Sequence, residues 1–347
     1  MKFEGRKILF ISLTRTGCVE YAAALAEKIG YDKLYIVCSE ESAPAFIEKD
    51  VIIKTYSGKW GFMWRSMFFR KGIEKILDKF HAEHGNHFTI LFPVFHPWNI
   101  MIYRWSQRKK VLLHTVVHDY NMHSGEEDKN VQWFQNKIID QSAKVIFLTR
   151  AEQEKAIQYG VDKQKTIIWP HPLLSVKAQH NCAHSKKLKL LYLGRVKKYK
   201  GIELLIEAIA ELDIEKLTIA GEGKLNDSYP NTVEHINKRI TEEEMAHLIE
   251  THHVLVLPYI DASQSGILTI GISANIPMLI TKQAGLQEQL NNESAIWCAP
   301  SVKGIKSGIE EYQNSPEKYQ SIKQNMERFK IKFESENSAL YEQCTKS

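Results

Sequence analysis

The sequence is poor in the features that would mark a disulfide scaffold, a metalloenzyme or a membrane-spanning chain. Its 347 residues hold five cysteines (Cys18, Cys38, Cys182, Cys298 and Cys344), scattered and never in a Cys-x-x-Cys pair. That usage fits reduced thiols better than bridges or a zinc site, and argues against a catalytic cysteine. No Asp-x-Asp occurs and no His/Cys/Asp cluster has metal-ligand spacing, so no metal or other cofactor is expected. The most apolar stretches, such as Lys110–Val117 and Val254–Pro258, are far shorter than the roughly 20 residues that a bilayer requires. The start, Met1–Lys7 running into Ile8–Ser12, has no signal-like apolar region or small-residue cleavage site, and a cytoplasmic location is expected. Charge of either sign is also in small excess: the net +5 suits anionic small ligands or an anionic membrane surface and argues weakly for nucleic acid.

What is present is average globular material, 44% hydrophobic and 25% charged, in a chain long enough for two domains. Short β-branched runs alternate with longer amphipathic ones. Lys7–Leu13, Leu34–Val37, Val51–Thr55, Phe88–Phe92, Val111–Val117 and Lys144–Leu148 read as strands between helices, the α/β signature. The runs are continuously apolar, as parallel strands covered on both faces should be. The pattern pauses at Trp169–Pro172 and turns polar over Ser175–Lys187, the expected linker. It restarts with Leu188–Leu193, Leu217–Ala220, Val254–Leu257 and Met278–Thr281, and the tail from about Val302 is charged and helical. The expected division is residues 1–178, 186–325, and a helical segment 326–347. Two facing Rossmann-like domains would leave a central cleft beyond the carboxyl ends of their strands.

The second half carries the sharpest chemistry. In Leu191-Tyr-Leu-Gly194-Arg195-Val-Lys-Lys-Tyr-Lys200-Gly201, a strand, a glycine, cations and a helix start coincide. Backbone N–H groups, the positive helix end and two full charges would suit a diphosphate. Lys197 and Lys198 read as solvated. Ser265-Gly266 forms a second strand-to-helix turn that could offer amides and a hydroxyl to phosphate, with glycine permitting close approach. In the first half, His118-Asp119 ends an apolar strand and reads as a site, whereas His114 within it reads as packing. Thr14-Arg-Thr-Gly17 is a lone-glycine loop. Phe95–Asn99 reads equally as a cleft lining or as a packed aromatic turn.

These motifs resemble, in type and order, the GT-B-fold retaining glycosyltransferases of the large family 4. The resemblance rests on Gly194-Arg195-x4-Lys200-Gly201, then Leu217-Thr-Ile-Ala-Gly221-Glu-Gly223, Ile240-Thr-Glu-Glu-Glu244, Val254–Tyr259, Asp261-Ala-Ser-Gln-Ser265-Gly266 and Ala274-Asn-Ile-Pro277. It implies a metal-independent enzyme moving a sugar from a UDP- or GDP-sugar to a hydroxyl on a carbohydrate or lipid-linked acceptor, in polysaccharide or glycolipid assembly. It implies roles too: Arg195 and Lys200 on the leaving diphosphate, His118 on the sugar, and Asp261 as a sugar contact or a simple helix cap. Gly194, Gly221, Gly223, Ser265 and Gly266 would belong to the nucleotide-sugar site, the Ser265-Gly266 turn on the phosphates, with Ile240 in the segment that receives the base. Gly17 would stand on the acceptor side, and Glu288 matches a glutamate after the donor loop, with a surface carboxylate as the even alternative. Thr149–Glu152 and Pro170–Pro172 would lie near the nucleotide. The sequence departs from the family pattern where a pair of glutamates is the rule: Asp261 stands near the first position and Ile270 near the second. The second glutamate binds ribose in the family, so ribose recognition must be weaker here or come from elsewhere.

Trp60–Gly72 interleaves aromatic, methionine and basic residues, as an interfacial helix does. It reads either as a peripheral contact with the inner face of a membrane or as an internal helix with a basic outer face. Three rivals to the transferase reading are carried. One is a sugar-nucleotide-binding protein without activity, motivated by Ile270. Another is a dinucleotide-dependent oxidoreductase, for which Thr14–Val19 lacks the Gly-x-Gly-x-x-Gly. The third, a nucleic-acid binder, is disfavoured by the modest charge.

Overall fold

The computed structural model describes residues 7–14, 18–56, 58–120, 129–225 and 229–343. Gly17, the polar loop 121–127 and Cys344 lie outside them. The described residues before 173, together with 336–343, form one compact unit, and residues 173–335 form another.

The first unit runs β1 (Lys7–Ser12), α1 (Val19–Ile29), β2 (Leu34–Ser39), β3 (Val51–Ile53), α2 (Gly58–His84), β4 (Phe88–Phe92), α3 (Asn99–Lys109), β5 (Leu112–Val117), α4 (Lys129–Gln141), β6 (Lys144–Phe147), α5 (Arg150–Gln158) and β7 (Thr166–Ile168). Its seven strands are all parallel, in the order β3-β2-β1-β4-β5-β6-β7. Successive side chains of a strand face opposite ways, and here both ways are dry. Phe10, Ile36 and Leu91 pack against Leu25 and Ile29 of α1, while Leu9, Ile11, Ile90 and Phe92 pack against Ile73 and Leu77 of α2 and Trp105 of α3. Burial on both faces explains the unbroken apolar runs of the sequence.

The second unit runs β8 (Lys189–Leu193), α6 (Ile202–Ile209), β9 (Lys216–Ala220), β10 (Val233–Ile236), α7 (Glu242–Thr251), β11 (Val254–Leu257), α8 (Gly266–Ala274), β12 (Met278–Thr281), α9 (Ala284–Gln289), β13 (Ile296–Cys298), α10 (Val302–Asn314) and α11 (Pro316–Gln343). Its six strands are also parallel, ordered β10-β9-β8-β11-β12-β13. Chain order reverses between β8 and β11, the switch point at which open α/β sheets receive ligands. The last turns of α11 belong to the first unit, where the buried Tyr341 donates its hydroxyl proton to the Pro170 carbonyl.

The stretch expected to be a linker, 175–187, is anchored to the second unit at several points. Ala178 and His180 are buried. The His180 N–H donates to the Ala274 carbonyl at 3.0 Å, the Cys182 thiol approaches the Glu250 carbonyl at 3.0 Å, and His184 Nε2 donates to the Tyr312 carbonyl at 2.7 Å. Polar composition there supplies anchors to the second unit.

Candidate functional site

The loops after β8, β9, β10, β11 and β12 gather at one edge of the second sheet. Two of them are zipped together by backbone. The Gly194 N–H donates to the Ala220 carbonyl at 3.0 Å, and Val196 N–H to the Glu222 carbonyl at 2.8 Å. Gly221 has φ +149°, and a Cβ there would lie 2.1 Å from the Gly194 oxygen. Gly201, left-handed at φ +66°, stands against the next loop, where a Cβ would lie 2.0 Å from the Pro258 oxygen. Glycine at these two positions is therefore fixed by space as well as by backbone angle. Gly223 donates its N–H to Asn237 Oδ1 at 3.0 Å, tying in the loop after β10. Beyond it, half-buried Ile240 precedes Thr241, which caps α7 in a reciprocal capping box with Glu244.

Lys200 is the best-supported cation of the site. Its ammonium lies 3.7 Å above the ring centroid of Tyr259 and 5.1 Å from that of Tyr199, within cation–π range of both. Tyr259 is fully buried, and its hydroxyl meets Ser265 Oγ at 3.2 Å. One ring thus connects the lysine to the start of α8. Ser265 is the N-cap of that helix, its hydroxyl accepting from the Leu268 N–H at 3.3 Å, and its own N–H is already given to Gln289 Oε1 at 2.7 Å. Its amide is thus occupied, and the outward donors of this turn are the first N–H groups of the helix, at Gly266 and Ile267. Arg195 is exposed in the same loop as Lys200, and its carbonyl accepts from the Tyr192 hydroxyl at 2.9 Å. Exposed Asp261 joins this group through its N–H, 3.3 Å from the Tyr199 carbonyl. Glu288 is exposed on α9, one residue before Gln289. Ile270 is buried within α8 at 8% exposure, so no carboxylate stands where the resemblance places one.

Tyr259, Tyr199, Gln289 and Asn237 received no role from the sequence. Tyr259 alone had a signal, an aromatic directly after Pro258 at the end of an apolar strand.

In the first unit, His118 ends β5 half-buried. Its Nε2 donates to the Pro93 carbonyl at 3.1 Å, which leaves Nδ1 as an acceptor. That atom is buried and finds no donor among the described residues. The ring packs edge-on against Tyr21 of α1, with centroids 4.4 Å apart, and Tyr21 meets buried His171 at 4.9 Å. His171 Nδ1 donates to the Pro172 carbonyl at 2.7 Å. Burial lowers the pKa of both imidazoles, that of His171 to about 3, so this cluster is neutral at physiological pH. Buried Glu152, its pKa raised by burial, accepts from the Tyr120 N–H at 2.7 Å. Phe95–Asn99 is a packed turn: Trp98 is fully buried, stacked on Phe69 with centroids 4.0 Å apart. Among the described residues no three His, Cys, Asp or Glu side chains group as metal ligands.

Residues 177–329, somewhat less than half of the chain, match the family model of the glycosyl transferases group 1. The curated proteins give no match. Among solved structures, HepE from Anabaena in complex with UDP-glucose is similar over 98% of both chains, with a TM-score of 0.73 at 14% identity. Sucrose-phosphate synthase from Thermosynechococcus elongatus covers 98% of both chains with a TM-score of 0.72, also at 14% identity. A UDP-N-acetylglucosamine 2-epimerase is similar over 92% of this chain and 91% of its own, with a TM-score of 0.56 at 10% identity. The fold is α/β GT-B. A synthase and an epimerase share it, so the choice of chemistry rests on the site.

Proposed function

We propose that the chain is a retaining, metal-independent glycosyltransferase that moves a sugar from a UDP- or GDP-sugar to a hydroxyl of a carbohydrate or lipid-linked acceptor, in polysaccharide or glycolipid assembly. The observation that carries this reading is the Lys200–Tyr259–Ser265 connection. It sets an ammonium and a helix N-terminus together at the switch point between β8 and β11. As the bond from the anomeric carbon to the diphosphate breaks, the departing oxygens gain negative charge. Lys200, Arg195 and the first amides of α8 meet that charge without a metal ion. The acceptor oxygen forms the new bond to the anomeric carbon and its proton passes to the departing diphosphate oxygen, with the anomeric configuration kept. The family match supports this, since residues 177–329 include every one of these groups. So does HepE, a similar fold solved with UDP-glucose. The four described cysteines form no disulfide, which suits work in the reducing cytoplasm.

Either Arg195→Ala or Lys200→Ala should lower turnover several hundredfold while the fold stays intact, the size of effect that a lost charge-stabilising group has. Near-normal transfer rates in either purified variant would refute its assigned role. Ile270, buried where a carboxylate is the rule for the resemblance, favours a second reading: a sugar-nucleotide-binding protein without transfer. Calorimetric binding of UDP with no hydrolysis or transfer across an acceptor panel would select it.

A further inference from the structure

Trp60, Trp64 and Phe68 recur every fourth residue along the first turns of α2 and are 77%, 65% and 69% exposed. The outward face of a helix packed on a sheet is ordinarily polar, and three large apolar groups in one stripe make a patch rather than scattered exposure. They do not serve the core, because Phe69, Ile73, Leu77 and Phe80 of the same helix already fill it. The internal-helix reading of this segment thus holds for one face only, and the other begins with aromatics.

Followed at 3.6 residues per turn, the exposed stripe passes from the aromatics to Lys71, Lys75 and Lys79, all exposed. Two acids lie within this length of α2, Glu74 and the exposed Asp78 on the same face, and each is paired with a cation. Glu74 pairs with Arg70 at 3.4 Å and Arg108 at 2.7 Å, and Asp78 pairs with Lys109 at 3.4 Å. Gly58–Ile73 contains no acid at all. The face is therefore aromatic at one end and cationic at the other. No described helix is long and apolar enough to cross a membrane, so a contact through this face would lie along a surface.

We propose that this face of α2 docks the protein on an anionic lipid surface. Trp60, Trp64 and Phe68 enter the boundary between headgroups and acyl chains, and the three lysines rest on lipid phosphates. The aromatic end of α2 adjoins the carboxyl edge of the first sheet. Tyr56, just before the helix, packs against His96 and Trp98 after β4, with ring centroids 5.5 Å and 5.2 Å apart. Docking brings that edge to the bilayer, where a lipid-held hydroxyl would be presented. The presentation step rests on the proposed transfer; the docking does not.

Flotation of the full chain with phosphatidylcholine vesicles, with and without phosphatidylglycerol, tests the docking independently of any turnover. Binding should require phosphatidylglycerol and weaken with added salt. Joint replacement Trp60→Ser, Trp64→Ser, Phe68→Ser should lower partition at least tenfold, with the melting temperature held because these side chains are outside the core. Joint replacement Lys71→Gln, Lys75→Gln, Lys79→Gln should remove the salt dependence. Three results would overturn the proposal: no binding to either vesicle, binding that survives the serine variant, or a concentration-dependent dimer of the free chain that this variant abolishes.

Discussion

At the carboxyl edge of the second sheet, backbone meets backbone: a Cβ on Gly221 or Gly201 would collide with a carbonyl oxygen at 2.1 Å or 2.0 Å. At the same edge of the first sheet, side chains fill the space, with Tyr21 between two neutral imidazoles. The first arrangement is set by chain geometry, so its residue identities are nearly fixed and it tolerates little change. The second is set by packing and protonation, so its weakness is pH rather than volume.

The largest effect is expected where the backbone approach is closest. Gly221→Ala meets both a positive φ and the Gly194 carbonyl, and should cost about 3 kcal/mol or more, with loss of UDP binding. Gly194→Ala shares the positive φ, but the nearest atom its Cβ would meet, the Tyr192 hydroxyl oxygen, is at 3.7 Å, so strain alone acts, at about 1–2 kcal/mol. Denaturant titration of the two variants measures the difference. Equal losses would mean that close approach is not what selects glycine at Gly221.

The first unit should break by acid. His171 has its pKa lowered by burial to about 3, while in the unfolded chain it titrates near 6.5. Above that value both states are neutral and folding carries no penalty. As pH falls below it, the unfolded chain takes up a proton that the folded one refuses, and stability is lost progressively down to the folded pKa. By pH 5 this amounts to about 2 kcal/mol. His180 and His252, lowered to about 4, add the same trend in the second unit. His171→Phe should make the drop between pH 7 and pH 5 smaller by about 2 kcal/mol. If the variant and the parent lose equal stability over that interval, His171 is not the titrating group.

The same contrast explains what could be read from the sequence. Every strand expected from an apolar run is present, and the strands that were missed, β7, β10 and β13, all lie at sheet edges. These three strands are only three or four residues long, and β10 also carries exposed Glu234, so no long apolar run announces them. The glycines and Lys200 were legible because strand, glycine and helix start adjoin in the chain. Tyr259 and Gln289 were not, because their roles come from bonds across loops, to Ser265 from six and twenty-four positions away. Nor were the anchors of the supposed linker, which reach Glu250 and Tyr312 across sequence separations of 68 and 128.

The smallest predicted effect separates the two things that Tyr259 does. Tyr259→Phe removes the hydroxyl that meets Ser265 Oγ but keeps the ring beneath Lys200. The loss is one hydrogen bond, about 1 kcal/mol of stability, and UDP affinity should stay within about threefold because the lysine is still held. Tyr259→Leu removes the ring face as well, and at about 1 kcal/mol for the cation–π contact UDP should bind about fivefold more weakly. Calorimetry on both variants decides it. If the phenylalanine variant loses as much affinity as the leucine one, the hydroxyl and its hold on the start of α8 matter more than the cation above the ring. The second unit's site would then depend on a side-chain contact, as the first unit's does.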